Sequence, residues 1–179
     1  MEIYSPHHIK EPEQGHGQKT INLGELYFGG ENEKIGTLLG SCIAITIWHP
    51  TLKIGGMCHF LLPGEPSKKN KVRIDGNLNG RYSDEAMAWL VNETLKHNTR
   101  INQYQAKIFG GSNMLSLSTL QDDQLIGNRN TEAAVNLLYN LGVPLLVAHV
   151  GETGPRRIIF DLSNGDVWVK HTPLQKNIP

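Results

Sequence analysis

The sequence is short of three things, and each shortage excludes a class of protein. It holds 2 cysteines in 179 residues. That is too few for a disulfide scaffold, so reduced thiols in a cytoplasm are the expectation. It has no surplus of either charge, with 17 Lys and Arg against 17 Asp and Glu. Binding nucleic acid by neutralising phosphates draws on a basic excess, and the one dense basic group is Lys68, Lys69, Lys71 and Arg73. No apolar run approaches the ~18 residues of a membrane span, and the first twenty residues show no apolar core of a secretory signal. What is present fits a globular chain: 39% hydrophobic and 19% charged residues, at a length that supports one domain with a real core.

Residues 1–19 are polar and rich in Pro, Gly, Gln and His, and read as a flexible tail. His7, His8 and His16 there could hold a metal weakly; composition favours a plain tail. The domain is expected over 20–170, with a second tail over 171–179. "TINL" and "ELYF" read as short strands around Gly24, "IGTLLG" as an apolar run, and "CIAITIW" and "GGMCHFLL" as strands joined through "HPT" into a hairpin. Residues 64–80 read as a long polar loop. Ser83 looks like an N-cap, with Asp84 and Glu85 in the first turn. Met87, Leu90, Val91 and Leu95 form the buried face of that helix. "AKIF" is a strand ending in Gly110-Gly111. A second helix is expected over Thr131–Asn140, with Ala134, Leu137, Leu138 and Leu141 inward, Gly142 as C-cap and Pro144 beyond. "LLVAHV" reads as a fully apolar strand, and "RRIIFDLSNGDVWV" as a hairpin turning tightly at Asn164-Gly165. Strands interleaved with two helices predict an α/β protein whose sheets are only partly covered.

The chemistry concentrates in "LGSC" and "GGMCHF". Side chains alternate along a strand, so Cys42, Ala44, Thr46 and Trp48 share a face, and Met57, His59 and Leu61 share another. Cys58 points away from His59. Pairing the strands around "HPT" sets Cys42 opposite residues near 58–60, with Cβ atoms ~5 Å apart. A thiol ionises near ~8.5; an adjacent imidazole can take its proton and return one to a departing amine, as acyl transfer from an amide requires. Backbone N–H groups of the Gly40-Ser41 turn could form an oxyanion hole. Other readings stay open on pattern alone. Cys42 fits a small buried hydrophobe, a zinc ligand with Cys58 and His59, or a disulfide partner of Cys58. His49 and His149 read as structural.

The two strands resemble the CheD family, the chemoreceptor glutamine deamidases of bacterial and archaeal chemotaxis. So do "GRYSDEAMAWLVNETLK", "AKIFGGSNML", "IGNRNTEAAVNLLYNLGVPLL" and "FDLSNGDVWVK", in the family's order over residues 20–170. The resemblance implies a layered α/β/β/α fold related to the cytotoxic necrotising factor catalytic domain. It implies a Cys-His-Thr triad that hydrolyses receptor glutamines to glutamate without metal or organic cofactor. Chemotaxis receptors would be partners, and a CheC-like phosphatase a further one. Cys42 matches the nucleophile and His59 the base. The family's triad threonine aligns with Gly36, and Thr37 stands one step later. On one extended strand that step reverses the side chain. The resemblance therefore leaves two outcomes: a bulge turns Thr37 round, or a carbonyl or water orients His59. An adaptor that docks on receptors without catalysis is the alternative. Ser41, Gly110, Gly111 and Ser112 are candidate substrate contacts, with Asn113 near them. Arg81 and Asp84 read as an ion pair, and Asn128, Arg129 and Asn130 as caps of the second helix.

Overall fold

The computed structural model describes residues 17–64, 78–114 and 120–174, with side chains in the last segment from residue 126 onward. His7, His8, His16 and the basic group Lys68, Lys69, Lys71 and Arg73 lie outside the described residues.

Two sheets stack face to face. The larger runs β2 (Leu26–Gly29), β5 (Ile54–Phe60), β4 (Ile43–His49), β6 (Gln105–Gly110) and β7 (Leu145–Val150). The smaller runs β1 (Gln18–Thr20), β3 (Lys34–Leu39), β8 (Arg156–Asp161) and β9 (Val167–His171). Strand alternation gives β4 and β5 two apolar faces, and each finds a different cover. Ile43, Ile45, Ile47, Cys58 and Phe60 pack with Ala86, Met87 and Leu90 of α1 (Ser83–Lys96) and Ala134 and Leu138 of α2 (Leu120–Asn140). Ala44, Met57 and Phe109 pack with Ile35, Leu39, Ile158 and Phe160 of the smaller sheet.

Both helices thus cover the same sheet, and the order is helices, sheet, sheet. The expected fourth layer is not found among the described residues. Sheet-facing residues explain this: Leu38, which points away from the larger sheet, is 64% exposed.

Several boundaries differ from the sequence reading. Gln18 and Lys19 belong to β1, which pairs with β3, and His171 ends β9 rather than starting a tail. Tyr82, not Ser83, is the N-cap of α1, and Leu95 is 57% exposed. α2 begins before Thr131, so Asn128, Arg129 and Asn130 lie inside it. β7 occupies a sheet edge, leaving Leu146 and Val147 largely exposed. The β8–β9 connection spans residues 162–166 rather than two, with Gly165 alone at positive φ (79°). Ion pairs between described residues do not include Arg81 with Asp84: the Arg81 side chain lies over Gly24.

Candidate active site

β4 and β5 pair antiparallel with Ala44 opposite His59 and Ile43 opposite Phe60. Continuing that register puts Cys42 opposite Leu61. Cys42 and His59 are therefore diagonal neighbours on one face, not directly opposed as the turn count implied. Diagonal pairs remain within reach of longer side chains, and apo catalytic contacts commonly tighten only with substrate. The shared face is the one between the sheets: Cys42 packs beside Ala44 and Met57. Cys58 lies on the helix-facing side with Ile45 and Phe60. Both thiols are free and belong to opposite faces, so neither a Cys42–Cys58 bridge nor a shared metal site is formed. Among the described residues no three His, Cys, Asp or Glu side chains converge on a metal position.

Thr37 settles its own orientation through the sheet it belongs to. β3 pairs with β8 in unbroken register, Gly36 with Ile159 and Thr37 with Ile158. No bulge is present. Ile35, Thr37 and Leu39 are buried and face the larger sheet, so Thr37 approaches His59 across the sandwich rather than along a shared sheet. Gly36 faces the other way, and an added Cβ there would meet the Gln18 side chain.

The Thr37 hydroxyl lies 2.9 Å from His59 Nδ1 and donates to the Ile21 carbonyl at 2.8 Å. A hydroxyl has one proton, and a carbonyl can only accept. With that proton given to Ile21, Thr37 accepts from His59 Nδ1–H. The imidazole lone pair is then on Nε2.

Both groups of the pair are neutral near pH 7. Burial lowers the His59 pKa to about 4, partly opposed by the Glu25 carboxylate. Burial also pushes the Cys42 thiol upward, partly opposed by its own backbone N–H lying against the sulfur. The arrangement suits a neutral imidazole that removes the thiol proton during attack, not a preformed thiolate.

The turn carrying Cys42 is held from two sides. Gly110 and Gly111 adopt φ of 112° and 63°, and a Cβ on Gly110 would stand 2.0 Å from the Cys42 carbonyl oxygen. Only glycine fits such an approach. Gly111 N–H donates to the Cys42 carbonyl at 2.8 Å, and Ser112 N–H to the Gly40 carbonyl at 2.9 Å. These donors are therefore committed to the nucleophile turn. Ser112 is fully buried, and its hydroxyl accepts from Arg156. Gly110, Gly111 and Ser112 thus shape the site instead of facing a substrate, contrary to the expectation for them. Asn113 continues the segment, its N–H bonded to the Glu152 carbonyl. Ser41 is half-buried in the turn itself.

Two residues of this frame escaped the sequence reading. Arg156 is fully buried and donates to the Gly110 and Gly151 carbonyls, the Ser112 hydroxyl and His149 Nδ1. Its signal was the alternation of "RRIIFD", which puts Arg156 on the inward face with Ile158 and Phe160. Asn130 is fully buried in α2, and its side-chain NH₂ donates to the Ser41 and Leu61 carbonyls. Its signal was the helical spacing of Gly127, Asn130, Ala134 and Leu138. A cavity of about 230 Å³ opens at the far end of β4, lined by Thr46, Trp48 and Lys107, and holds none of these groups.

Comparison with known proteins now bears on this geometry. Residues 61–171 match the family model described as CheD chemotactic sensory transduction. A Pseudomonas savastanoi pv. phaseolicola protein named "Probable chemoreceptor glutamine deamidase CheD" is 41% identical over 162 residues, 90% of this chain and 88% of the relative. The chain belongs to the CheD family. A CheD relative from Dechloromonas aromatica is 42% identical over 149 residues, 83% of this chain and 84% of its own. One from Shewanella oneidensis is 38% identical over 147 residues, 82% of this chain and 68% of its own. The stretch matched by the CheD model carries Gly110, Gly111, Ser112, Asn130 and Arg156, the groups that hold the nucleophile turn. Cys42, His59 and Thr37 precede it in the chain.

Proposed function

We propose that this protein hydrolyses the side-chain amides of selected glutamines on chemotaxis receptors to glutamate. Cys42 is the nucleophile, His59 the general base and acid, and Thr37 the residue that fixes the imidazole. The observation that carries this reading is the Thr37–His59 bond, which leaves Nε2 with the lone pair. The relatives' shared name supplies the substrate class.

Cys42 Sγ bonds to the amide carbon while its proton passes to His59 Nε2. The C–N bond then breaks, and nitrogen leaves as ammonia with that proton. Water attacks the resulting thioester and gives a proton to Nε2. The C–S bond breaks, the acid departs and the thiol regains its proton. One water is consumed and one ammonia released. The Cys42 N–H beside the sulfur serves as oxyanion donor, a task suited to a fixed backbone group. The residues of the pair need no metal for these steps.

The family resemblance extends the reading. It supports a cytoplasmic enzyme, a catalytic layer of the cytotoxic necrotising factor kind, and regulation by a CheC-like phosphatase. Ser41, half-buried at the turn, is the residue of the frame we assign to contact with the substrate. Mass spectrometry of receptor peptides tests the core proposal. The wild-type protein is expected to add about 1 Da per modified glutamine, the exchange of NH₂ for OH. Addition of the same mass by Cys42→Ala would end it.

A further inference from the structure

The β4–β5 ladder stops where the reaction is to occur. Its last recorded pair is Ile43 with Phe60. Beyond it the strands carry Cys42 and Ser41 on one side and Leu61 and Leu62 on the other. The Leu61 and Leu62 N–H groups both turn to the Arg81 carbonyl. Nothing in the backbone ladder then sets how far the nucleophile turn stands from the end of the strand bearing His59.

Asn130 reaches into that gap from α2. Its Nδ2 donates 3.2 Å to the Ser41 carbonyl and 2.7 Å to the Leu61 carbonyl. The first carbonyl belongs to the residue before Cys42, the second to the residue two beyond His59. The two protons of one planar NH₂ group bridge the two segments at a fixed span. The residue is also an unfavourable choice on other grounds. Asparagine is a poor helix former, it is fully buried here, and its Oδ1 is buried without a hydrogen-bond partner. Buried orphan acceptors are uncommon and call for an explanation. An apolar side chain would suit the helix and leave no orphan of its own. Retaining an amide at this position makes sense through its two donors.

We infer that Asn130 is a positioning residue for the Cys42–His59 pair, setting the separation of thiol and imidazole through the Ser41 and Leu61 carbonyls. It touches neither reacting atom. The inference rests on the proposed roles of Cys42 and His59, and its test separates the two.

The test uses the full chain as wild type, Asn130→Leu, Asn130→Ser and His59→Gln. Leucine keeps volume and helix preference but offers no donor; serine is smaller and keeps one. Three readouts are taken: thermal melting, the alkylation rate of Cys42 by iodoacetamide at pH 7, and kcat and KM for deamidation of a purified receptor cytoplasmic fragment. Cys58 is buried and gives little background. A shift of the pair by about 1 Å is expected to lower kcat about 10²-fold in Asn130→Leu, with KM little changed. Alkylation should slow to the His59→Gln rate, and Asn130→Ser should fall between. A purely structural residue predicts something else: lower melting temperature, with kcat and alkylation per folded molecule unchanged. That result overturns the inference, as does failure of both Asn130 variants to fold. If wild type leaves the receptor fragment unmodified while alkylation still slows in the variants, the deamidase reading fails and the positioning role stands.

Discussion

Two buried histidines sit about one sheet apart and meet opposite fates. His59, between the sheets, faces a hydroxyl that has already given away its proton. His149, beneath the Gly110–Ser112 turn, faces the Nε–H of Arg156 at 2.8 Å. Burial lowers the pKa of both, aided at His149 by the positive charge of Arg156. The difference lies in which nitrogen is occupied. At His59 the partner takes an N–H and frees a lone pair; at His149 the partner takes the lone pair. Burial alone therefore does not make a base. The partner on the far nitrogen decides, and it converts one histidine into a proton acceptor and the other into a strut for a buried guanidinium.

The largest effect that sharpens this contrast concerns stability against pH. His59 has a folded pKa of about 4 and an unfolded value near ~6.5. The unfolded chain thus takes up its proton first as pH falls. The stabilisation is complete above about pH 6.5 and is lost progressively down to about pH 4, by about 3 kcal/mol in all. Denaturant melts from pH 7 to pH 4 should show this loss in wild type, and His59→Gln should remove that part of the slope. An equal slope in the variant would show that His59 is not the group responsible.

Next in size is Thr37→Val, which keeps the shape but removes the acceptor for Nδ1–H. Deamidation should fall about 10²-fold in kcat, less than loss of Cys42 itself, as for orienting groups in other triads. The readout is single-turnover ammonia release. A wild-type rate would mean that packing alone orients the ring.

The smallest effect belongs to the other histidine. In His149→Gln the side-chain carbonyl can still accept from Arg156. Activity should stay within about twofold, and stability should change by no more than about 1 kcal/mol. A large drop in activity would erase the distinction between the two sites.

The sequence carried the nucleophile and base because strand alternation is local: period two puts Cys42 and His59 on one face whatever the rest of the chain does. The α/β class followed from the same periodicities. Thr37 was harder, because its direction depends on which sheet β3 joins. Judged along a strand shared with the pair it points the wrong way; paired with β8 in the facing sheet it points at His59. Asn130 was hidden by cap-forming residues that resemble a helix start, although α2 runs straight through them. Arg156 was hidden by the usual exposure of arginine, which the cradle of carbonyls around it reverses. The edge position of β7 is likewise non-local: "LLVAHV" is apolar enough for a central strand, and only topology leaves Leu146 and Val147 exposed.

The most direct measurement is the nitrogen NMR spectrum of the His59 ring in ¹⁵N-histidine-labelled protein, followed from pH 8 to pH 3. The account predicts a proton on Nδ1, a lone pair on Nε2 at neutral pH, and ionisation near about 4. A proton on Nε2, or ionisation close to the ordinary ~6.5 of histidine, would contradict it.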